Sequence, residues 1–249
     1  MRKSLSIALA AFLVSVSGIA SAPRHPKLEF DHVWIVVSPN APERGALERA
    51  GFQISPQVNR HDGQGTASII VEFDNAFLEL LWPDPTVAVV PGLERGAEKF
   101  RKRILWRTSG WCPLGFRFRR TGGSGEAFPF PTWSVSAPWM GKSSMEMLTP
   151  RDDTQSPSLS VSARDATDMR EQAARASLYR HPLGVHKITG VTLIAPKAYQ
   201  PIPPLTFVQS EGAVNVAQGE EWAVELTFDG GKKKKSKDLR PDLPLVIHY

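Results

Sequence analysis

Three short stretches carry side chains with chemical capacity. FDHVWIVV (30–37) holds one imidazole, His32, among β-branched and aromatic residues, and AFLELLW (76–82) holds one carboxylate, Glu79, among leucines. RHDGQGT (60–66) holds His61 in a glycine-rich loop. The first two read as strands, in which alternate side chains share a face. That parity groups His32 with Phe30, Trp34 and Val36, and sets Asp31, Val33 and Ile35 on the opposite face. It also places Glu79 between Phe77 and Leu81, where a carboxylate is costly unless paired, hydrated or bound to a cation. Glu79 and His61 are therefore the candidates for acid–base catalysis. His32, Trp34, His61 and Thr66 are the expected substrate contacts, with HDGQGT offering backbone amides to an anionic or carbonyl oxygen. The plainer role for His61 is to fix its own turn. The single cysteine, Cys112, has no disulfide partner and no base beside it in GWCPLGF, so it reads as a buried structural thiol.

The elements that must position these groups follow from the same patterns. LEFDHVWIVV is a first strand, and Asn40 is placed to cap a helix through APERGALERAG, with Pro42 in its first turn and Gly51 ending it. Phe52 to Ile54 make a brief strand. ASIIVEF and AFLELLW are two more strands, joined by a turn at Asp74-Asn75. The order is β-α-β-β-β. Downstream, HKITGVTLIAP (186–196) and AVNVAQGEEWAVELTFDGG (213–231) supply strands that align with the first set: FDHVWIVV with ITGVTLIA, AFLELLW with WAVELTF. In the helix position of this second copy, the prolines of KAYQPIPPLTFVQSE leave room for little more than one turn. The chain is thus expected to be α+β, two βαβββ modules with the second degenerate, forming a curved mixed sheet around one cleft. The modules span 28–110 and 181–249. Between them, 111–180 holds connecting elements: a strand-like PLGFRFRR, a flexible TGGSGE, strand-like MEML and SLSVS, and a polar helix around DATDMREQAARASL. A further helix is expected at LERGAEKFRKRIL (93–105).

The order of these pieces resembles the glyoxalase-like group of the vicinal oxygen chelate superfamily. The stretches that carry the resemblance are Phe30-Asp31-His32-Val33, the fourth-strand FLELL, the H-x-G-x-G-T-like RHDGQGTA, the HPLG opening before HKITGVTLIAP, and the closing DLRPDLPLVIHY. The resemblance implies that each module gives ligands from its first and fourth strands to one divalent metal inside the sheet. Carried over by position, the ligands are His32, Glu79 and Glu225. Gly190 stands where the fourth is expected, and Thr192 on the same strand is a further substrate contact. His186, about 13 Å along that strand at ~3.3 Å per residue, does not substitute. A histidine with two carboxylates suits Mn, Fe, Ni or Zn alike. Two readings stand side by side: metal-assisted lyase, isomerase or dioxygenase chemistry on a small oxygenated substrate, or a metal-free cavity that only binds or sequesters a small molecule.

The N-terminus sets the compartment. MRKSLS is basic, IALAAFLVSVSGIA is apolar, and Ala20-Ser21-Ala22 is an A-x-A cleavage signal, so residues 1–22 are expected to be a signal peptide and the protein exported, periplasmic or secreted. The net charge of +5 is owed largely to KKKKSK (232–237), a run that reads as a solvated loop. With no basic face interleaved with aromatics, a nucleic-acid partner is not expected. Membrane contact is not expected either, and the assembly is a monomer or a homodimer around a small-molecule ligand.

Overall fold

A computed structural model describes residues 27–121, 126–153, 155–162 and 177–249. The expected signal peptide, and most of the polar helix expected around 165–178, lie outside these residues. Among the described residues thirteen strands form two sheets. The larger has eight strands in the order β2-β3-β4-β1-β5-β8-β7-β6. Its first half is β1 (Lys27–Val36), β2 (Asn59–His61), β3 (Thr66–Glu72) and β4 (Phe77–Pro83). Its second half is β5 (Leu114–Thr121), β6 (Trp133–Val135), β7 (Met145–Met147) and β8 (Ser158–Ser162). The two halves share one plan: β1 runs parallel to β4, β5 runs parallel to β8, and β1 and β5 meet antiparallel at the centre.

The α+β class and a large sheet around one cleft are as expected, while the strands that build its second half fall elsewhere in the chain. The strands that complete the cleft sheet come from 114–162, within the section read as connecting. Residues 181–249 instead build a separate five-stranded sheet, β10-β9-β11-β13-β12, from β9 (Ile188–Pro196), β10 (Asn215–Gly219), β11 (Ala223–Phe228), β12 (Ser236–Asp238) and β13 (Leu245–His248). In it β9 and β11 are antiparallel, whereas β1 and β4 are parallel, so the aligned pairs are not structural equivalents. The alignment matched only the alternation that half-buried strands have in common.

Helices are few. α1 (Arg44–Ala50) ends as expected on Gly51 in the left-handed region (φ 94°), but Asn40 does not cap it: Asn40 and Ala41 take positive φ in a preceding turn and the helix begins after Glu43. The brief strand expected at 52–54 is absent. α2 (Glu94–Arg103) fills most of the expected 93–105 helix, and α3 (Trp106–Ser109) follows. α4 (Pro203–Ser210) is longer than one turn because Pro203 and Pro204 occupy its first turn, where a missing N–H costs nothing. No helix among the described residues is long and apolar enough to cross a membrane.

The second sheet covers one face of the first. Val33 and Ile35 of β1, Leu78 and Leu80 of β4, Phe116 and Phe118 of β5, and Leu159 and Val161 of β8 join one core with Val191, Leu193, Val224, Leu226, Leu245 and Ile247. Asn75 fixes the two layers together, donating from Nδ2 to Ile188 O (2.8 Å) and accepting from Ile188 N (3.0 Å) on Oδ1. His181 adds a second tie: Nδ1 accepts from Gln53 N (3.0 Å) and Nε2 donates to Glu72 O (2.8 Å). In the lysine run, Lys233 reaches Leu183 O and Gly184 O, and Lys237 reaches Ala50 O, so two of these ammonium groups cap backbone carbonyls. The other face of the large sheet stays open, and the chemistry lies there.

Candidate functional site

The open face forms a cleft of about 510 Å³. On β4 the expected parity holds: Phe77, Glu79 and Leu81 line the cleft, while Leu78 and Leu80 enter the core. On β1 it holds only from His32 onward. The pairing with β5 slips between Phe30 and His32, a bulge at Asp31 that lets two successive side chains, Asp31 and His32, reach one cleft. Phe30 consequently packs against the core rather than sharing the His32 face.

The bulge gives His32 its setting. Its Nδ1 donates to Asp31 Oδ1 at 2.5 Å, and its ring stacks on Phe77 with centroids 4.0 Å apart. Nε2 is left to the cleft, 3.7 Å from Glu79 Oε2. His61 approaches the same carboxylate from β2, with Nε2 3.6 Å from Glu79 Oε1. Its Nδ1 lies 2.9 Å from Thr66 Oγ1, which also accepts from Gln64 Nε2 at 2.9 Å. Thr66 is fully buried and absent from the cleft wall, so it orients His61. Both imidazole–carboxylate separations exceed a hydrogen bond, leaving the edges of His32, His61 and Glu79 free to meet a guest atom. Burial holds the His61 pKa below its ordinary value; Arg117 and His32 push the same way and Glu79 opposes, so the ring is neutral near pH 7.

The arginines of β5 are the residues that sequence reasoning missed. Phe116 and Phe118 point into the core, which turns Arg117 and Arg119 into the cleft. Arg117 stands opposite His32 in the β1–β5 register, and its guanidinium touches Met145 Sδ. Burial lowers its pKa while Glu79 and Asp31 raise it; the group stays charged. Arg119 pairs with Asp31 Oδ2 at 3.3 Å and donates to Asn75 O at 2.8 Å. Burial raises the Asp31 pKa, yet the bond from His32 and the charges of His32, Arg119 and Arg117 outweigh it, so Asp31 stays below the usual range. Three N–H donors of cleft residues are buried with no partner: Arg117 Nε, Arg119 Nε and Trp139 Nε1. The signal for the arginines was present in GFRFRR, where cations alternate with phenylalanines.

The far rim comes from the second half of the sheet. Trp139 sits over His61, centroids 4.9 Å apart, on a turn whose Pro138 presses on Gly63. A Cβ at Gly63 would stand 2.4 Å from Pro138 Cδ, so the HDGQGT glycine is required by this approach as well as by its φ of 88°. Trp34 lines the floor, lying across Gly115 of β5.

The expected metal trio is not assembled. Glu225 lies on β11 in the other sheet, half exposed, 3.3 Å from His248, and Thr192 is on β9 beside it. Neither lines the cleft. Arg117, a cation, faces His32 from the second half of the sheet. Among the described residues no three His, Cys, Asp or Glu side chains are arranged to hold a metal ion. The donor set therefore does not fit a divalent ion held by His32, Glu79 and Glu225. Cys112 is fully buried, and burial pushes its thiol pKa up to about 12.

Comparison with known proteins agrees with this architecture. A crystal structure of a hypothetical protein from Staphylococcus aureus superposes with a TM-score of 0.50 at 11% identity, covering 88% of this chain and 98% of that one. Such a likeness speaks to the fold alone. No curated protein matches the sequence. The profile of the glyoxalase-like domain matches residues 30–203, a span that holds nearly all of the eight-stranded sheet and every cleft residue named above. The chain belongs to the glyoxalase-like domain family, within the vicinal oxygen chelate superfamily, whose members bind or transform small molecules.

Proposed function

We propose that this is an exported enzyme that binds a small oxygen-rich anion, such as a 2-oxo acid, and moves a proton on the carbon beside its carbonyl. The observation that carries the reading is the set of unpaired donors on Arg117, Arg119 and Trp139, set around a carboxylate flanked by two imidazoles. Buried donors without partners call for acceptor atoms, and arginine suits carboxylates and enolate oxygens. In the reaction, the guest carboxylate accepts from Arg119 and the carbonyl oxygen from Arg117. Glu79 takes the proton from the adjacent carbon, the C–H electrons form the C=C bond of an enolate, and the new oxyanion is held by Arg117. Neutral His61 exchanges that proton with Glu79, and its return to a different atom completes an isomerisation. Arg117 fills the electrophilic role that a divalent ion would otherwise supply. Export rests on the basic and apolar N-terminal run ending in Ala20-Ser21-Ala22.

The test is solvent deuterium exchange at C3 of 2-oxobutanoate, followed by proton NMR on the mature chain in D2O. Exchange should be accelerated, and it should fall by about 10²–10⁴-fold in Glu79→Gln and by about 10²–10³-fold in Arg117→Met. Tight binding with no exchange would make this a binding protein instead. If exchange and thermal stability both rise only after adding Mn²⁺, Fe²⁺, Ni²⁺ or Zn²⁺, the role given to Arg117 is wrong.

A further inference from the structure

The cleft continues past its charged end. Beyond Trp34 lies a second cavity of about 140 Å³, and Trp34, Gln64, Phe100, Met145, Met147 and Ser158 line both. Its other walls include Leu93, Trp133 and Val135, apolar side chains left half-buried. Cations also border this arm, but each is engaged. Lys99 Nζ donates to Arg151 O and Asp153 O at 2.6 Å each, Arg103 is bonded to Cys112 O and Ser156 O, Arg95 pairs with Asp152 at 2.7 Å, and the Arg151 guanidinium lies over the Trp133 ring, 4.6 Å from its centroid. The contrast with the main cleft is chemical: there the donors lack partners, whereas here what lacks a partner is apolar surface.

We infer that the ligand is amphiphilic, an acid head in the main cleft joined to an apolar tail that passes Trp34 and fills this arm. The inference rests on the anion-binding reading of the head site and adds the substrate class. At about 30 Å³ per water-sized group, the arm takes a tail of on the order of five heavy atoms, a short alkyl chain or a phenyl ring. Met145 and Met147 at the junction suit a tail of variable shape, because thioether side chains are flexible and polarisable.

Calorimetric titration of the mature chain with straight-chain carboxylates from propanoate to decanoate, and with n-alkanols of matching length, tests this. Each added methylene should tighten carboxylate binding about fourfold, with a plateau after roughly five carbons of tail. Val135→Gln, which changes only the arm, should flatten the slope while leaving propanoate affinity and the thermal midpoint unchanged. Affinity independent of chain length overturns the tail. A slope that continues to decanoate and persists in Val135→Gln overturns it too, because that is adsorption without an arm. Alkanols that bind as tightly as the acids, with the same plateau, uphold the tail and overturn the anionic head. Failure of both series to bind overturns both.

Discussion

Gly115→Ala should destabilise this protein through one side chain. Gly115 is a β5 residue directly opposite Trp34 in the β1–β5 register, and the indole lies over it. A Cβ built there falls 2.1 Å from Trp34 Cε2 and Cζ2 and 2.6 Å from Nε1. These are ring atoms of a buried tryptophan that also contacts Phe100, 5.5 Å between centroids, so the indole must shift to admit the methyl group. Overpacking of this kind costs about 1–3 kcal/mol, or a fall of roughly 2–12 °C in melting temperature for a chain of this size. The backbone itself has no objection, since Gly115 is not in the left-handed region. In a Trp34→Leu background the same change should therefore be neutral, or stabilising by about 0.4–1 kcal/mol through lost unfolded-state entropy. Urea unfolding of the four proteins of this double-mutant cycle gives a coupling energy that should exceed about 1 kcal/mol. Equal cost in both backgrounds would refute the reasoning, because the penalty would then lie in the strand and not in the indole. The functional counterpart is that Gly115→Ala also disturbs the floor shared by both cavities.

Two further expectations concern pH. Burial depresses the folded-state pKa of His61 and His181 below the ordinary 6.5; the unfolded chain therefore takes up protons first on acidification, and the stability present above pH 6.5 is lost as pH falls through the folded values. Chemical denaturation between pH 7.5 and 5 should show this decline, and His181→Gln should weaken the dependence; an unchanged slope would remove His181 from the account. An anionic guest next to His61 favours the imidazolium form, so ligand binding should take up protons near pH 6.5, read as a dependence of calorimetric enthalpy on buffer ionisation. Zero uptake would separate His61 from the head site.

The first half of the large sheet was legible because its strands alternate in the simple way. Val33, Ile35, Leu78 and Leu80 face the core, and their neighbours are chemically distinct. The second half was not, because the face of β5 and β8 that completes the cleft is written in arginines and serines. Arg117, Arg119, Ser158 and Ser160 look like solvated residues until another wall stands across from them. The strands of 186–231 were more conspicuous for the opposite reason. They are apolar and β-branched, as befits a layer buried against its neighbour, and that quality made them resemble β1 without sharing its pairing. Hydrophobic alternation reports burial on one face; it carries no information about which strand lies alongside.

The site shows the same limit at finer scale. Type and strand parity single out His32 and Glu79, the glycine-rich loop singles out His61, and the fold sets both imidazoles beside the Glu79 carboxylate. Parity sets Asp31 on the face opposite His32, with Val33 and Ile35, because it assumes an unbroken ladder. One extra residue against β5 reverses the count for everything before it, sending Phe30 inward and Asp31 to the cleft. The consequence is electrostatic. With the bulge, a further carboxylate joins Glu72 and Glu79 in the cleft that Arg117 and Arg119 line. Asp31 orders His32 through Nδ1 and engages Arg119 through its other oxygen. A charge-balanced cleft can remain folded while empty and still keep the Nε donors of both arginines unspent. The bulge thus brings to these cations a carboxylate that an unbroken strand would turn the other way.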